Sequence, residues 1–202
     1  MDTIQRVMYI NLDERVDRKL QIQRELLQIF PATKIERFAA IKNASAGGVG
    51  CTQSHIAVLE LAKKNGWSNV LIVEDDFVWA NTTTGLPILA ELCKQSYDVI
   101  LLSGSYVDCD PSTYRLSSAQ TTTAYLVSAE YYDTLLTNYK EGLAQLQKTG
   151  IYHKYALDQY WKRLQPVGRW FCVRPLLGLQ RPGFSDIEGR VVDYSRYFGF
   201  VR

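Results

Sequence analysis

Three adjacent carboxylates, Glu74, Asp75 and Asp76, follow directly on an apolar run at residues 70–73. An unbroken apolar run of this length reads as a strand buried on both faces. Adjacent carboxylates repel one another and are poorly tolerated at the end of such a strand. The pattern therefore asks for positive charge. A hard divalent cation, Mg²⁺ or Mn²⁺, prefers carboxylate oxygen and commonly shares its shell with a substrate's phosphates. Ligands of an open α/β sheet bind beyond the carboxyl ends of its strands, which is where the triplet falls. A solvated acidic turn is the other reading of the same residues.

The elements around the triplet bring further polar groups to that edge. Asn11 lies in a first predicted strand (7–12), and Arg15 and Arg18 follow on the next helix. Ser103 and Gly104 close a strand predicted at 97–102. His55 is read in the first turn of a helix, where the dipole favours an anion, or as a hydrogen-bonded structural histidine. Acidic groups suited to a metal and basic groups suited to a diphosphate thus gather together. Asp158 and Asp186 stand in otherwise uncharged contexts. Either could act as a general base, or as a helix cap or loop residue.

The positioning elements read as an α/β chain. Asp13 is expected to cap a helix with Val16, Leu20, Leu27 and Phe30 inward and Arg15, Arg18, Lys19 and Glu25 outward. Pro31 stops it, and residues 35–39 form a second strand, parallel to the first by a right-handed crossover. Residues 44–51 read as a Gly-rich loop, neither a P-loop nor a dinucleotide fingerprint. The next helix is expected from Thr52 or Ser54 to Asn65, ended by Gly66. After the acidic strand come a turn at 82–85, a helix at 86–95 with Pro87 in its first turn, a loop at 108–112 and a strand at 121–127. Helices at 129–147 and 157–164, a strand at 170–173 and a loop-like tail from Gln180 complete the chain. The prediction is a mixed, mainly parallel central sheet flanked by helices, with a nucleotide-binding N-terminal half.

Composition narrows the function classes. The chain has 202 residues, 47% hydrophobic and 22% charged, ordinary for a soluble globular protein with a real core. A net charge of +2 without a long basic run argues against nucleic-acid binding. Cys51, Cys93, Cys109 and Cys172 lack C-x-x-C spacing, so a zinc site is not expected and free thiols in a reducing compartment are. No stretch approaches membrane-spanning length, and residues 1–6 lack a signal pattern, so a soluble, cytoplasmic chain is expected. Thirteen tyrosines and four tryptophans offer faces for sugars or bases, most of them as core. The aromatic run at 194–200 is expected either to cover an acceptor cleft or to make a homodimer contact.

Several segments occur in a telling order. Tyr9 to Arg18 holds a strand ending in Asn11-Leu12 and spaced arginines, and Glu36-Arg37-Phe38-Ala39-Ala40 follows. Then come Gly50-Cys51-Thr52-Gln53-Ser54-His55, Val73-Glu74-Asp75-Asp76, Thr123-Ala124-Tyr125-Leu126-Val127-Ser128, Leu157-Asp158-Gln159 and Ser185-Asp186. Over nearly its whole length the chain resembles the family 25 glycosyltransferases, which include bacterial lipooligosaccharide and animal collagen galactosyltransferases. The resemblance implies a GT-A type fold in one transferase domain over 1–202. Residues 1–105 would be its nucleotide-sugar- and metal-binding half, and 106–202 its acceptor side. It implies a UDP-sugar donor, Mn²⁺ or Mg²⁺, and transfer of a hexose, galactose or glucose, with inversion. The acceptor would be a hydroxyl of a glycan or lipopolysaccharide sugar, or of hydroxylysine in collagen-like chains.

Residue by residue, the resemblance gives Asp76 to the metal, with Glu74 or Asp75 assisting or meeting the ribose. It gives Asn11, Arg15 and Arg18 to the nucleotide side, and places His55 beside the donor with Ser103 and Gly104 on the same edge. Asp158 becomes the base that takes the acceptor's proton, and Ser185 and Asp186 are further candidates. The chain departs from the family at Lys42-Asn43, where an Asp-Gly pair is usual, and at Gln159, where a second carboxylate is often found. Those departures motivate an alternative, a catalytically weakened sugar-nucleotide-binding or interaction module of the same fold. A third reading, a metal-dependent phosphotransferase, lacks a recognisable phosphate-cradling loop.

Overall fold

The order of elements is β1 (Arg6–Asn11), α1 (Val16–Leu27), β2 (Ile35–Ala39), α2 (Gly47–Lys64), β3 (Asn69–Glu74), β4 (Phe77–Trp79), α3 (Thr82–Leu92) and β5 (Val99–Cys109). It continues β6 (Leu116–Ser128), α4 (Tyr132–Thr149), α5 (Tyr152–Tyr155), α6 (Leu157–Tyr160), β7 (Trp170–Cys172), β8 (Gly178–Gln180), β9 (Gly183–Ser185) and β10 (Arg190–Val192). The computed structural model describes residues 3–198. Met1, Asp2 and residues 199–202 lie outside it. So do the start of the 1–6 segment, the ends of the 1–202 and 106–202 spans, and the end of the 194–200 aromatic run.

Six strands pair in the order β2-β1-β3-β6-β5-β7. β1 is parallel to β2 and β3, and β5 to β7, while β6 runs antiparallel to both β3 and β5. This is the mixed, mainly parallel sheet that the sequence predicts. Two small antiparallel pairs, β4-β8 and β9-β10, flank it.

The period-2 alternation of strands decides which layer each residue joins. Met8, Ile10, Val70 and Ile72 pack with Ile56 and Leu59 of α2 and Leu135 and Tyr139 of α4. Val7, Tyr9, Leu71 and Val73 pack with Ile22 and Leu26 of α1 and Leu89 and Leu92 of α3. Residues 70–73 are essentially fully buried, so both faces of β3 are covered. The same alternation carries past the strand end. Glu74 continues the α2/α4 side and Asp75 the α1/α3 side, so neighbouring carboxylates meet different helices.

Several local expectations are corrected. On α1 the buried positions are Ile22 and Leu26, whereas Val16, Leu20 and Leu27 are 57%, 51% and 54% exposed. The buried stripe runs Arg18–Ile22–Leu26, at i, i+4 spacing, because Arg18 turns inward to the carboxylates at the sheet edge. Asp13 does not cap α1; it pairs with Arg37 at 2.6 Å. Of the Gly-rich segment, residues 44–46 precede α2 as expected of a loop, but Gly47–Cys51 belong to the start of α2 rather than to a loop. Glycine's poor helix propensity misleads there. Close packing explains it: a Cβ on Gly48 would meet the Tyr152 ring at 2.6 Å, and one on Gly50 the Ile41 carbonyl at 2.4 Å. His55 consequently lies well inside α2, beyond the reach of the helix dipole.

Residues 82–85 likewise open α3, which moves Pro87 out of the first turn. Ser103-Gly104-Ser105 do not end β5. The strand continues through bulges to Cys109, paired with an equally extended β6, so Asp108 and Cys109 are strand rather than loop. The tail after Gln180 contains β9 and β10. No helix among the described residues is long and apolar enough to cross a membrane, and the four cysteines are free thiols.

Candidate active site

Asp75 turns to the α1 side and is fully engaged. Asn11 Nδ2 donates to its Oδ2 at 2.7 Å, and Arg18 Nη1 donates to its Oδ1 at 2.8 Å. Arg37 in turn donates through Nε to Asn11 Oδ1 at 3.0 Å. Burial still raises the Asp75 carboxyl above the ordinary aspartate range, with Arg18 and Asn11 opposing. Arg18 holds Asp75 and reaches Asp76 Oδ2 at 3.4 Å, both partners largely buried. Arg18→Ala would leave these carboxylates uncompensated. The expected loss is about 3 kcal/mol, at the low end for breaking a buried ion pair. Urea unfolding at neutral pH checks this, and a change below about 1 kcal/mol, the scale of an exposed pair, would contradict it.

Glu74 turns to the α2 side. Thr122 Oγ1 donates to its Oε1 at 2.6 Å, and His55 Nε2 lies 3.4 Å from the same oxygen. Burial works to raise the Glu74 carboxyl, but the His55 imidazole, Thr122 and the Arg18 charge hold it below the ordinary glutamate value. His55 is fully buried, its Nδ1 2.8 Å from the Tyr125 hydroxyl and its ring stacked on Tyr125.

The Gly50-to-His55 segment can now be read physically. Gly50 lets α2 approach the exit of β2. Ser54 Oγ donates to the Gly50 carbonyl and accepts the Ile41 N–H, both at 2.8 Å, fixing that approach. Cys51 and His55, four residues apart, then share the helix face toward Glu74. Lys42 pairs with Glu14, and Asn43 Oδ1 accepts the N–H groups of Ser45 and Ala46 at the start of α2. Lys42 and Asn43 thus have local structural roles. Gly50→Ala is expected to cost about 1–3 kcal/mol, since the obstacle is backbone and cannot swing away. Thermal unfolding reads it, and an unchanged Tm would show that α2 shifts freely.

Asp76 lies beyond the strand end. Its Oδ2 is 3.4 Å from both Arg18 Nη1 and Gln180 Nε2, while Oδ1 is buried without a partner among the described residues. Burial, then the charges of Glu74 and Asp75, push its carboxyl up to about 8 against the pull of Arg18. A cation bound at this strand-end cluster would relieve the cause of that shift.

The remaining candidates fall around this cluster. Arg15 donates to Asp186 and to the Phe184 carbonyl, and Arg18 donates to the same carbonyl at 2.7 Å. The β9 segment is therefore brought against both arginines, while Ser185 Oγ only accepts the Glu188 N–H. Ser103 is fully buried within β5, opposite Ala124, and its Oγ has no partner among the described residues. Gly104 packs so closely that a Cβ would meet Leu101 at 2.6 Å and the Gln120 carbonyl at 3.1 Å.

Asp158, on α6, accepts the Thr121 N–H at 3.0 Å and Gln159 Nε2 at 3.2 Å through Oδ2. Burial and the Glu74 charge raise its carboxyl. Thr121 has φ of +64°, a strained conformation for a β-branched residue. Thr121, Thr122, Tyr125 and Gln180 are site neighbours without an assigned role in the sequence reading. Only Tyr125 had a signal, in its Ala-Tyr segment.

No protein-family model matches the chain, and no curated protein matches it in sequence. Solved structures do. A glycosyltransferase involved in the glycosylation of the major capsid of PBCV-1 superposes with a TM-score of 0.58 at 9% identity, covering 96% of this chain and 98% of that one. Mannose-1-phosphate geranyltransferase from Thermus thermophilus gives 0.51 at 10% identity, with 89% and 74% covered. The chain has a GT-A-like fold. At these identities the likeness speaks for the architecture alone, and function rests on the site.

Proposed function

We propose that the protein is a sugar-nucleotide-dependent transferase and, more finely, a family 25-like glycosyltransferase moving galactose or glucose from a UDP-sugar to a hydroxyl acceptor with inversion. The observation that carries this reading is Asp76 Oδ1, a buried carboxylate oxygen just past the carboxyl end of β3 that is unpartnered among the described residues, with Arg18 3.4 Å from its other oxygen and Arg15 sharing the Phe184 carbonyl with Arg18. The donor set suits Mn²⁺ or Mg²⁺: Asp76 would hold the ion, and Glu74 would add charge from the other side of the strand. Such an ion supplies Lewis-acid stabilisation of the diphosphate that departs.

The chain's own residues do the rest. Arg15 and Arg18 bind the nucleotide side, taking phosphate oxygens in place of the Phe184 carbonyl and Asp186. Asn11 and Arg37 keep Asp75 and Arg18 in register. Asp158 accepts the acceptor's proton, and because Oδ2 is occupied by the Thr121 N–H, Oδ1 is the accepting atom. Residues 1–105 serve the donor and 106–202 the acceptor, which is a glycan or a hydroxylysine-type hydroxyl.

A panel of sugar nucleotides incubated with Mn²⁺, with and without chelator, tests the reading. The expected result is chelator-sensitive release of UDP from UDP-galactose or UDP-glucose. Inorganic phosphate in place of UDP would favour a phosphotransferase. Metal-dependent binding without turnover would favour the non-catalytic module.

A further inference from the structure

We propose that Cys51, His55 and Glu74 form a second metal site, for a borderline-soft divalent cation of the zinc class, distinct from the position at Asp76. One ligand atom from each, the Cys51 thiol sulfur, an imidazole nitrogen and a carboxylate oxygen, lie within 4.8 Å of one another. Helix and strand geometry make this no accident of surface crowding. Cys51 and His55 share one face of α2 at i, i+4, and strand alternation turns Glu74 toward that face.

The independent observation is His55 itself. Its side chain is fully buried, and Nε2, the nitrogen aimed at Glu74, has no hydrogen-bond partner among the described residues; at 3.4 Å from Oε1 it does not meet hydrogen-bond geometry. Buried polar atoms are rarely left so. Its other nitrogen is 2.8 Å from the Tyr125 hydroxyl, which in turn accepts from Tyr139 at 3.3 Å. In the tautomer that has Nδ1 donating to the Tyr125 oxygen, Nε2 would present its lone pair to the cluster. A second-sphere hydrogen bond of this kind holds the ring of a metal-bound histidine.

The ligand chemistry selects the ion. Hard Mg²⁺ and Mn²⁺ favour oxygen shells, whereas a thiolate, an imidazole and a carboxylate suit zinc, with three protein ligands and one open position. Zinc would enter as the dication, and Cys51 would release its thiol proton to solvent, with no change of oxidation state. Counting cysteines by spacing misses such a site, because its other two ligands are a helix neighbour and a strand end. The proposal stands without the transferase reading, since it needs neither donor nor turnover.

Cobalt reports on the ligands directly. The full chain, stripped of metal with a chelator, is titrated with Co²⁺. One equivalent should produce a thiolate-to-cobalt charge-transfer band and intense tetrahedral ligand-field bands, both erased by Zn²⁺. Cys51→Ser should lose the charge-transfer band, and Asp76→Asn should keep it. Tyr125→Phe, which preserves the core volume, should weaken zinc affinity on the order of 10- to 100-fold. A folded wild-type chain without the charge-transfer band, or bands that survive Cys51→Ser, would overturn the proposal. Loss of the band in Asp76→Asn with its retention in Cys51→Ser would place the cobalt at the other site and overturn it equally.

Discussion

Asp76→Asn is expected to abolish metal-dependent sugar transfer while leaving the fold intact. The two halves of this expectation have different causes. Asn keeps the shape of Asp76 and can still face Arg18 and Gln180, so packing is preserved. On the proposed reading, what disappears is the anionic oxygen for a cation that would stabilise the leaving diphosphate. Preorganised electrostatics of this kind usually form the largest single term in catalysis, and removing one element commonly costs on the order of 10²–10³ in kcat. The loss should be at least that large. Stability should move the other way. The buried carboxyl of the metal-free protein sits beside Glu74, and burial with that charge pushes its pKa up to about 8. A neutral amide relieves that repulsion, so the metal-free variant should melt at or above the wild-type Tm at pH 8. Wild-type turnover in the variant would remove Asp76 from the metal, and a sharp drop in Tm would mean that its role is structural.

Asp158→Asn is expected to lower kcat by about 10²–10⁴ with little change in the KM for the donor. Asn keeps an oxygen to accept the Thr121 N–H, so the strained backbone at Thr121 stays anchored. On the proposed reading the lost function is proton acceptance. Burial and Glu74 raise the Asp158 carboxyl, which moves it toward the strength that a base needs near neutral pH. Steady-state kinetics separate the outcomes. A rise in donor KM with kcat retained would make Asp158 a donor contact, and no change in either would return it to a structural anchor for Thr121.

The sequence showed the architecture well where hydrophobic pattern and fold agree. The apolar run before Glu74 and the β1–α1–β2 opening led to the α/β class and the mainly parallel sheet, and the helix stop at Gly66 fell where left-handed backbone allows it. It misled where tertiary contacts override local preference. Glycines at 47–50 look like a loop, yet they are helical because neighbouring backbone and the Tyr152 ring leave no room for larger residues. Arg18 looks like an outward charge, yet the carboxylates at the sheet edge turn α1 to receive it.

The candidate site was legible as a residue list rather than as an arrangement. Glu74, Asp75 and Asp76 are adjacent in sequence, but alternation sends them to His55, to Arg18 and to the strand-end turn respectively. Nothing in the one-dimensional pattern tells which carboxylate is already satisfied. That both oxygens of Asp75 are hydrogen-bonded, while Asp76 Oδ1 has no partner among the described residues, depends on Asn11 and Arg18 arriving from other elements. The β9 contact with Arg15 and Arg18 was equally invisible, since it joins residues 169 and 166 positions apart.

Anomalous scattering at the manganese edge, from crystals grown with UDP and Mn²⁺, asks most directly whether Asp76 holds the catalytic cation. The expected map has a manganese peak within bonding distance of Asp76 Oδ1 and the UDP diphosphate completing the shell beside Arg15 and Arg18. A peak elsewhere, or bound UDP with Asp76 still turned to Arg18 and Gln180, would contradict it.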